Sequence, residues 1–109
     1  MLKVFVAECK IWKGPSDYLD AISQLFDRYL SWRDSKVSLI LFVKKAGMRS
    51  VIETIKSSTS RHPYFIGENG SRGDTSFSYL FRLPVDQEKH VELEVIAFHY
   101  FNNLNTSMQ

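Results

Sequence analysis

Two apolar runs separated by a stretch with helical periodicity leave this chain few folds to choose from. The first run, Val4-Phe5-Val6-Ala7-Glu8-Cys9-Lys10-Ile11-Trp12, gives residues 3–12 the apolar density of a central strand, and Lys13-Gly14-Pro15-Ser16 closes it with turn residues. Ser16 or Asp17 can cap a helix. From there Leu19, Ile22, Leu25, Phe26, Tyr29 and Leu30 mark one face, predicting a helix to about Arg33 with Asp20, Asp27 and Arg28 turned outward. The second run, Val37-Ser38-Leu39-Ile40-Leu41-Phe42-Val43, reads as a strand covered on both sides and parallel to the first. Strand, crossover helix and parallel strand make a βαβ unit.

Beyond Lys44-Lys45-Ala46-Gly47, residues Met48, Val51, Ile52 and Ile55 predict a second amphipathic helix that fades in Ser57-Ser58-Thr59-Ser60. Arg61 to Asp74 holds His62-Pro63, Gly67, Asn69, Gly70 and Gly73, so it reads as a loop with at most a short extended piece at Tyr64-Phe65-Ile66. Phe77, Tyr79 and Phe81, and then Val91, Leu93 and Val95, alternate with other residues as the strands of an antiparallel hairpin turning at Pro84 to Lys89. The expected fold is α/β: a mixed β-sheet flanked by helices in the order β-α-β-α-β-β. One domain spans residues 1–101, followed by a polar tail at 102–109.

Composition narrows the classes of function. A chain of 109 residues with 44% hydrophobic residues can bury one core and is not generally disordered. A single cysteine rules out an internal disulfide and any multi-cysteine metal site, which suits a reducing cytoplasm. No signal peptide or membrane-length apolar run is seen, so a soluble, cytoplasmic protein with no membrane partner is expected. A net charge of +2 permits a polyanionic partner without arguing for one. Gly67, Gly70 and Gly73 do not link a buried strand to a clear helix, so they make no nucleotide cradle. His62, His90 and His99 have no other ligand at metal spacing and read as structural or exposed.

The chemically demanding feature is Glu8 and Lys10 inside the first strand. Alternation puts both on one face, while Ala7, Cys9 and Ile11 point the other way. Two charges on a buried strand need partners, because an unpaired charge in low dielectric costs several kcal/mol or more. They are either a solvent-facing salt pair or a carboxylate and an ammonium aimed at one cleft, as metal-assisted phosphodiester cleavage would use.

The strand Phe5-Val6-Ala7-Glu8-Cys9-Lys10, the following Trp12-Lys13-Gly14, and Asp20-Ala21-Ile22-Ser23-Gln24-Leu25 leading into Tyr29-Leu30-Ser31-Trp32-Arg33-Asp34 resemble the carboxy-terminal half of the PD-(D/E)XK restriction-endonuclease-like superfamily. They are similar in particular to uncharacterised bacterial proteins with this nuclease-like domain at their end. The likeness is firm over about residues 3–45 and looser through the hairpin. It implies Mg2+-dependent hydrolysis of DNA. Glu8 and the backbone carbonyl of Cys9 would be metal ligands, Lys10 would stand beside the attacking water or the scissile phosphate, and Gln24 would face the site from the helix. Lys13, Arg28 and Arg33 stand as candidate nucleic-acid contacts, with Lys44, Lys45, Arg49, Arg61 and Arg72 as dispersed basic residues.

The pattern departs from the superfamily in two places. Tyr29 lies five positions after Gln24, outside the usual Gln-x-x-x-Tyr spacing. The metal-binding Asp expected upstream is absent, since none of the seven residues before Glu8 is acidic. Either the chain is a fragment, or Asp17, Asp20 or Asp74 substitutes; the fragment is the expectation, with the isolated chain a poor nuclease or none. The alternative is a non-catalytic nucleic-acid-binding or protein-assembly module, with homo-oligomers formed through exposed sheet edges.

Overall fold

The computed structural model describes residues 5–28, 36–44, 47–83 and 88–99. Its elements are β1 (Phe5–Ile11), α1 (Pro15–Arg28), β2 (Lys36–Val43), α2 (Met48–Thr59), β3 (Phe65–Arg72), β4 (Ser76–Arg82) and β5 (His90–His99). Gly14 makes the turn out of β1 at φ 110°, a left-handed conformation that a side chain disfavours, and its carbonyl accepts the Tyr18 N–H at 3.0 Å to start α1. Pro15 fits the first position of that helix, where an N–H would have no helical partner.

The strands form one five-stranded sheet in the order β1-β2-β5-β4-β3. β1, β2 and β5 run parallel, and β4 is antiparallel to both β5 and β3. The connections β1-α1-β2 and β2-α2-β3 progress in the same direction across the sheet, so right-handed crossovers place both helices on one face. Burial agrees: Val37, Leu39, Leu41 and Val43 of β2, Phe77, Tyr79 and Phe81 of β4, and Val91, Leu93, Val95 and Ala97 of β5 are all buried at alternate positions. Against them pack Tyr18, Ala21, Ile22, Leu25 and Phe26 of α1 and Ile55 of α2.

Polar bonds tie the two helices together inside this layer. Thr59 donates to the Ile55 carbonyl at 2.6 Å, which leaves its Oγ1 to accept from the Tyr18 hydroxyl at 2.7 Å. Burial, only partly opposed by the bond to Thr59, raises the Tyr18 pKa, so the phenol stays protonated and keeps donating. An aromatic cluster closes the other end, with Phe81 edge-on to Phe26 at 5.3 Å, His62 at 5.3 Å and Phe65 at 5.9 Å.

The α/β class with a mixed sheet and helices holds, as does the β4–β5 antiparallel pairing. Two local expectations, the loop over 61–74 and the two-sided cover of β2, do not. Residues read as a loop form β3, whose glycines, exposed polar side chains and irregular register with β4 hide the strand period. α2 ends at Thr59 with Ser60 as its cap, within the stretch where the sequence predicts it to fade, and Ser57 donates to the Thr54 carbonyl while Ser58 accepts from Arg61. β2 is covered by α1 and α2 on one side only; on the other, Ser38 is buried and Ile40 and Phe42 are half-buried. The expected helix end at Arg33, the turn at 84–87 and the tail at 102–109 fall outside the described residues.

Phe81 is fully buried at the centre of the aromatic cluster. Phe81→Ala is expected to lower unfolding free energy by about 3–5 kcal/mol in chemical denaturation. A loss below about 1 kcal/mol would show that this layer is not the core.

Candidate functional site

β1 is an edge strand: β2 pairs along one side, and no described strand pairs along the other. In register, Glu8 lies beside Leu39 and Lys10 beside Leu41, two residues buried under the helices. Both charges therefore share the helix-covered face. Each meets a charge from α1 instead of the other. Arg28 donates to Glu8 Oε2 at 2.9 Å, and Lys10 Nζ stands 3.7 Å from Asp17 Oδ1.

Helical spacing explains the match. Asp17, Ala21, Gln24 and Arg28 recur at intervals of four, three and four residues along one flank of α1. Since Asp17 and Arg28 reach Lys10 and Glu8, this flank faces β1, and Gln24 lies between them as an exposed residue. The charged partners were thus missed as a set in the sequence, although the spacing was there to read. Their side chains remain part-exposed, 28% for Glu8 and 59% for Arg28. Ion pairs this open contribute about 0–1 kcal/mol, so neither charge is locked against a stronger ligand.

The backbone of β1 divides by parity. The Trp12 N–H donates to the Phe42 carbonyl at 2.9 Å, so Lys10 and Glu8, of the same parity, also turn their peptide groups toward β2. Cys9 consequently directs its N–H and carbonyl to the outer edge. Its thiol is exposed, on the face of the sheet that neither α1 nor α2 covers. Of the basic candidates, Lys13 is exposed, Arg28 is engaged by Glu8, and Arg33 lies outside the described residues. Lys44, Arg49, Arg61 and Arg72 are exposed at scattered positions.

Among the described residues, no group of three or more His, Cys, Asp or Glu converges on a metal-sized site. A Ser-His contact does exist, between Ser23 Oγ and His62 Nε2 at 2.9 Å. The Tyr64 N–H donates to His62 Nδ1 at 3.1 Å, so the neutral ring carries its proton on Nε2 and donates to Ser23. That polarity is opposite to the one that activates a serine nucleophile. The pair is a clamp between α1 and the turn before β3. A groove of about 1000 Å³ lies between α2 and the β3–β4 end of the sheet. Phe77 and Tyr79 floor it and charges of both signs wall it, among them Arg49, Lys56, Glu68 and Asp74; Glu8, Lys10 and Gln24 are not part of it.

Comparison with protein-family models, curated proteins and solved structures finds no match. Fold and site alone define the class: a two-layer α/β domain with a charged edge strand. No described helix is long and apolar enough to cross a membrane.

Burial lowers the pKa of His62. A histidine kept neutral in the fold but free to protonate when unfolded contributes stability that is complete above about pH 6.5 and declines as the pH falls through the folded pKa. Denaturation midpoints measured between pH 8 and pH 5 are expected to drop more for the natural chain than for His62→Leu. Equal slopes would contradict the neutral-clamp assignment.

Proposed function

We propose that the β1–α1 flank is part of a Mg2+-dependent nuclease site acting on DNA, incomplete within this chain alone. One observation carries the reading: Glu8 and Lys10 stand on the same face of an edge strand, opposite a helix flank bearing Gln24, with the Cys9 carbonyl directed to the open edge. Oxygen donors suit Mg2+, and Glu8 and the Cys9 carbonyl are such donors side by side on one strand. A further carboxylate carried by a strand added along that edge would complete the set.

Bound there, the metal would supply Lewis acidity toward a phosphate oxygen and a more acidic water. Glu8 must exchange Arg28 for the metal, which is feasible because the exposed pair is weak. The released Arg28 guanidinium is then free to meet a backbone phosphate. Lys10, loosely held by Asp17 at 3.7 Å, would turn its ammonium to the negative charge that grows on the phosphoryl oxygens. Gln24 would orient water or substrate from the helix. Asp17, 3.7 Å from the Lys10 ammonium, would hold that side chain on the α1 side of β1.

The full-length natural protein, incubated with plasmid DNA and Mg2+ or Mn2+, is expected to cut it. Glu8→Ala and Lys10→Ala should each slow cutting by about 100-fold or more. Cleavage unchanged in both variants, or no metal-dependent cleavage at all, contradicts the proposal.

A further inference from the structure

The two edges of the sheet are built differently. β3 is irregular, with register shifts between Phe65 and Gly67 and between Glu68 and Ser71, two glycines, and charged Glu68 and Arg72. Bulges and charges of that kind discourage a further strand. β1 instead keeps an unbroken register with β2 from Phe5 to Ile11. Its odd residues Ala7, Cys9 and Ile11 present their N–H and carbonyl groups outward in a straight row, as parity from the Trp12–Phe42 bond requires. A regular open row of donors and acceptors is a template for one more strand.

The side chains of β1 restrict which strand and which register. The geometry points to a second copy of this chain, its β1 pairing antiparallel with the first about a two-fold axis through Cys9. Antiparallel pairing of outward-facing odd residues sets Ala7 opposite Ile11, Cys9 opposite Cys9, and Glu8 opposite Lys10 of the second copy, twice over. Slipping the pair by two residues either way puts Glu8 opposite Glu8 or Lys10 opposite Lys10. Like charges directly opposite are destabilising, so this register is favoured over both of its neighbours. About six backbone hydrogen bonds would form between Ala7 and Ile11 of the two copies.

The helices carry the same complementarity. The two-fold axis runs perpendicular to the sheet, so both α1 helices lie on one face and antiparallel to each other. Their β1-facing flanks, with Asp17 at the amino end and Arg28 at the carboxyl end, then meet acid to base. The apolar Ala7 and Ile11, exposed on the opposite face, come to lie against each other across the seam. Glu8 of the second copy falls diagonally across from Glu8, about 7–8 Å apart by backbone spacing, and the Cys9 carbonyl is taken up by the new ladder. The dimer itself does not depend on that catalytic reading, and its test uses neither metal nor DNA.

Sedimentation of the natural chain over a wide concentration range is expected to show a monomer–dimer equilibrium. Glu8→Lys alone and Lys10→Glu alone should each weaken the dimer by about tenfold or more, and the double exchange should restore it. Independently, mild oxidation of the natural chain should link it through Cys9, since directly opposed strand residues lie within disulfide reach. A chain that stays monomeric at every concentration, or a double exchange no better than the singles, overturns the proposal.

Discussion

The position of α1 across β1 and β2 is the constraint on which everything else here rests. Its buried side, Tyr18, Ala21, Ile22, Leu25 and Phe26, fixes the helix on the sheet, and two polar bonds fix its roll. Tyr18 is tied to Thr59 and Ser23 to His62, both on the side of α2. With those bonds made, the opposite flank has to face the outer strand. Asp17, Gln24 and Arg28 are therefore delivered to β1, and the two charges of that strand find counter-charges without leaving solvent altogether.

A single helical layer has a second consequence. Residues on the other face of β1, Ala7, Cys9 and Ile11, have nothing above them and are exposed, whereas Glu8 and Lys10 sit at the margin of the core. This reverses the usual ordering of polar and apolar along an edge strand. Charges placed at a sheet margin normally prevent sticking. Here their alternating sign disfavours the two registers next to the one centred on Cys9, so the device that guards the edge also helps specify what is allowed to join it.

Much of this fold is legible in the sequence, for reasons that differ by element. β4 and β5 announce themselves because one face of each is covered, and strict alternation such as Phe77-Tyr79-Phe81 follows from that, whereas β2 is legible as a nearly unbroken apolar run that hides which of its faces meets the helices. β3 is invisible because an edge strand with bulges has little reason to alternate. The shared face of Glu8 and Lys10 follows from strand parity alone. Their partners do not, because the roll of α1 is set by His62 and Thr59, which bond to it across 39 and 41 positions of chain. The exposure of Cys9 is also unreadable locally, since it depends on both crossovers lying on one side.

The central claim is that β1 is an open edge with its odd-numbered peptide groups outward. Residue-resolved amide hydrogen exchange tests it most directly. In dilute solution the Glu8, Lys10 and Trp12 amides should exchange slowly and those of Ala7, Cys9 and Ile11 fast, with the latter three gaining protection as concentration rises. Uniform protection of all six at every dilution, or slow exchange confined to the odd residues, would contradict the account.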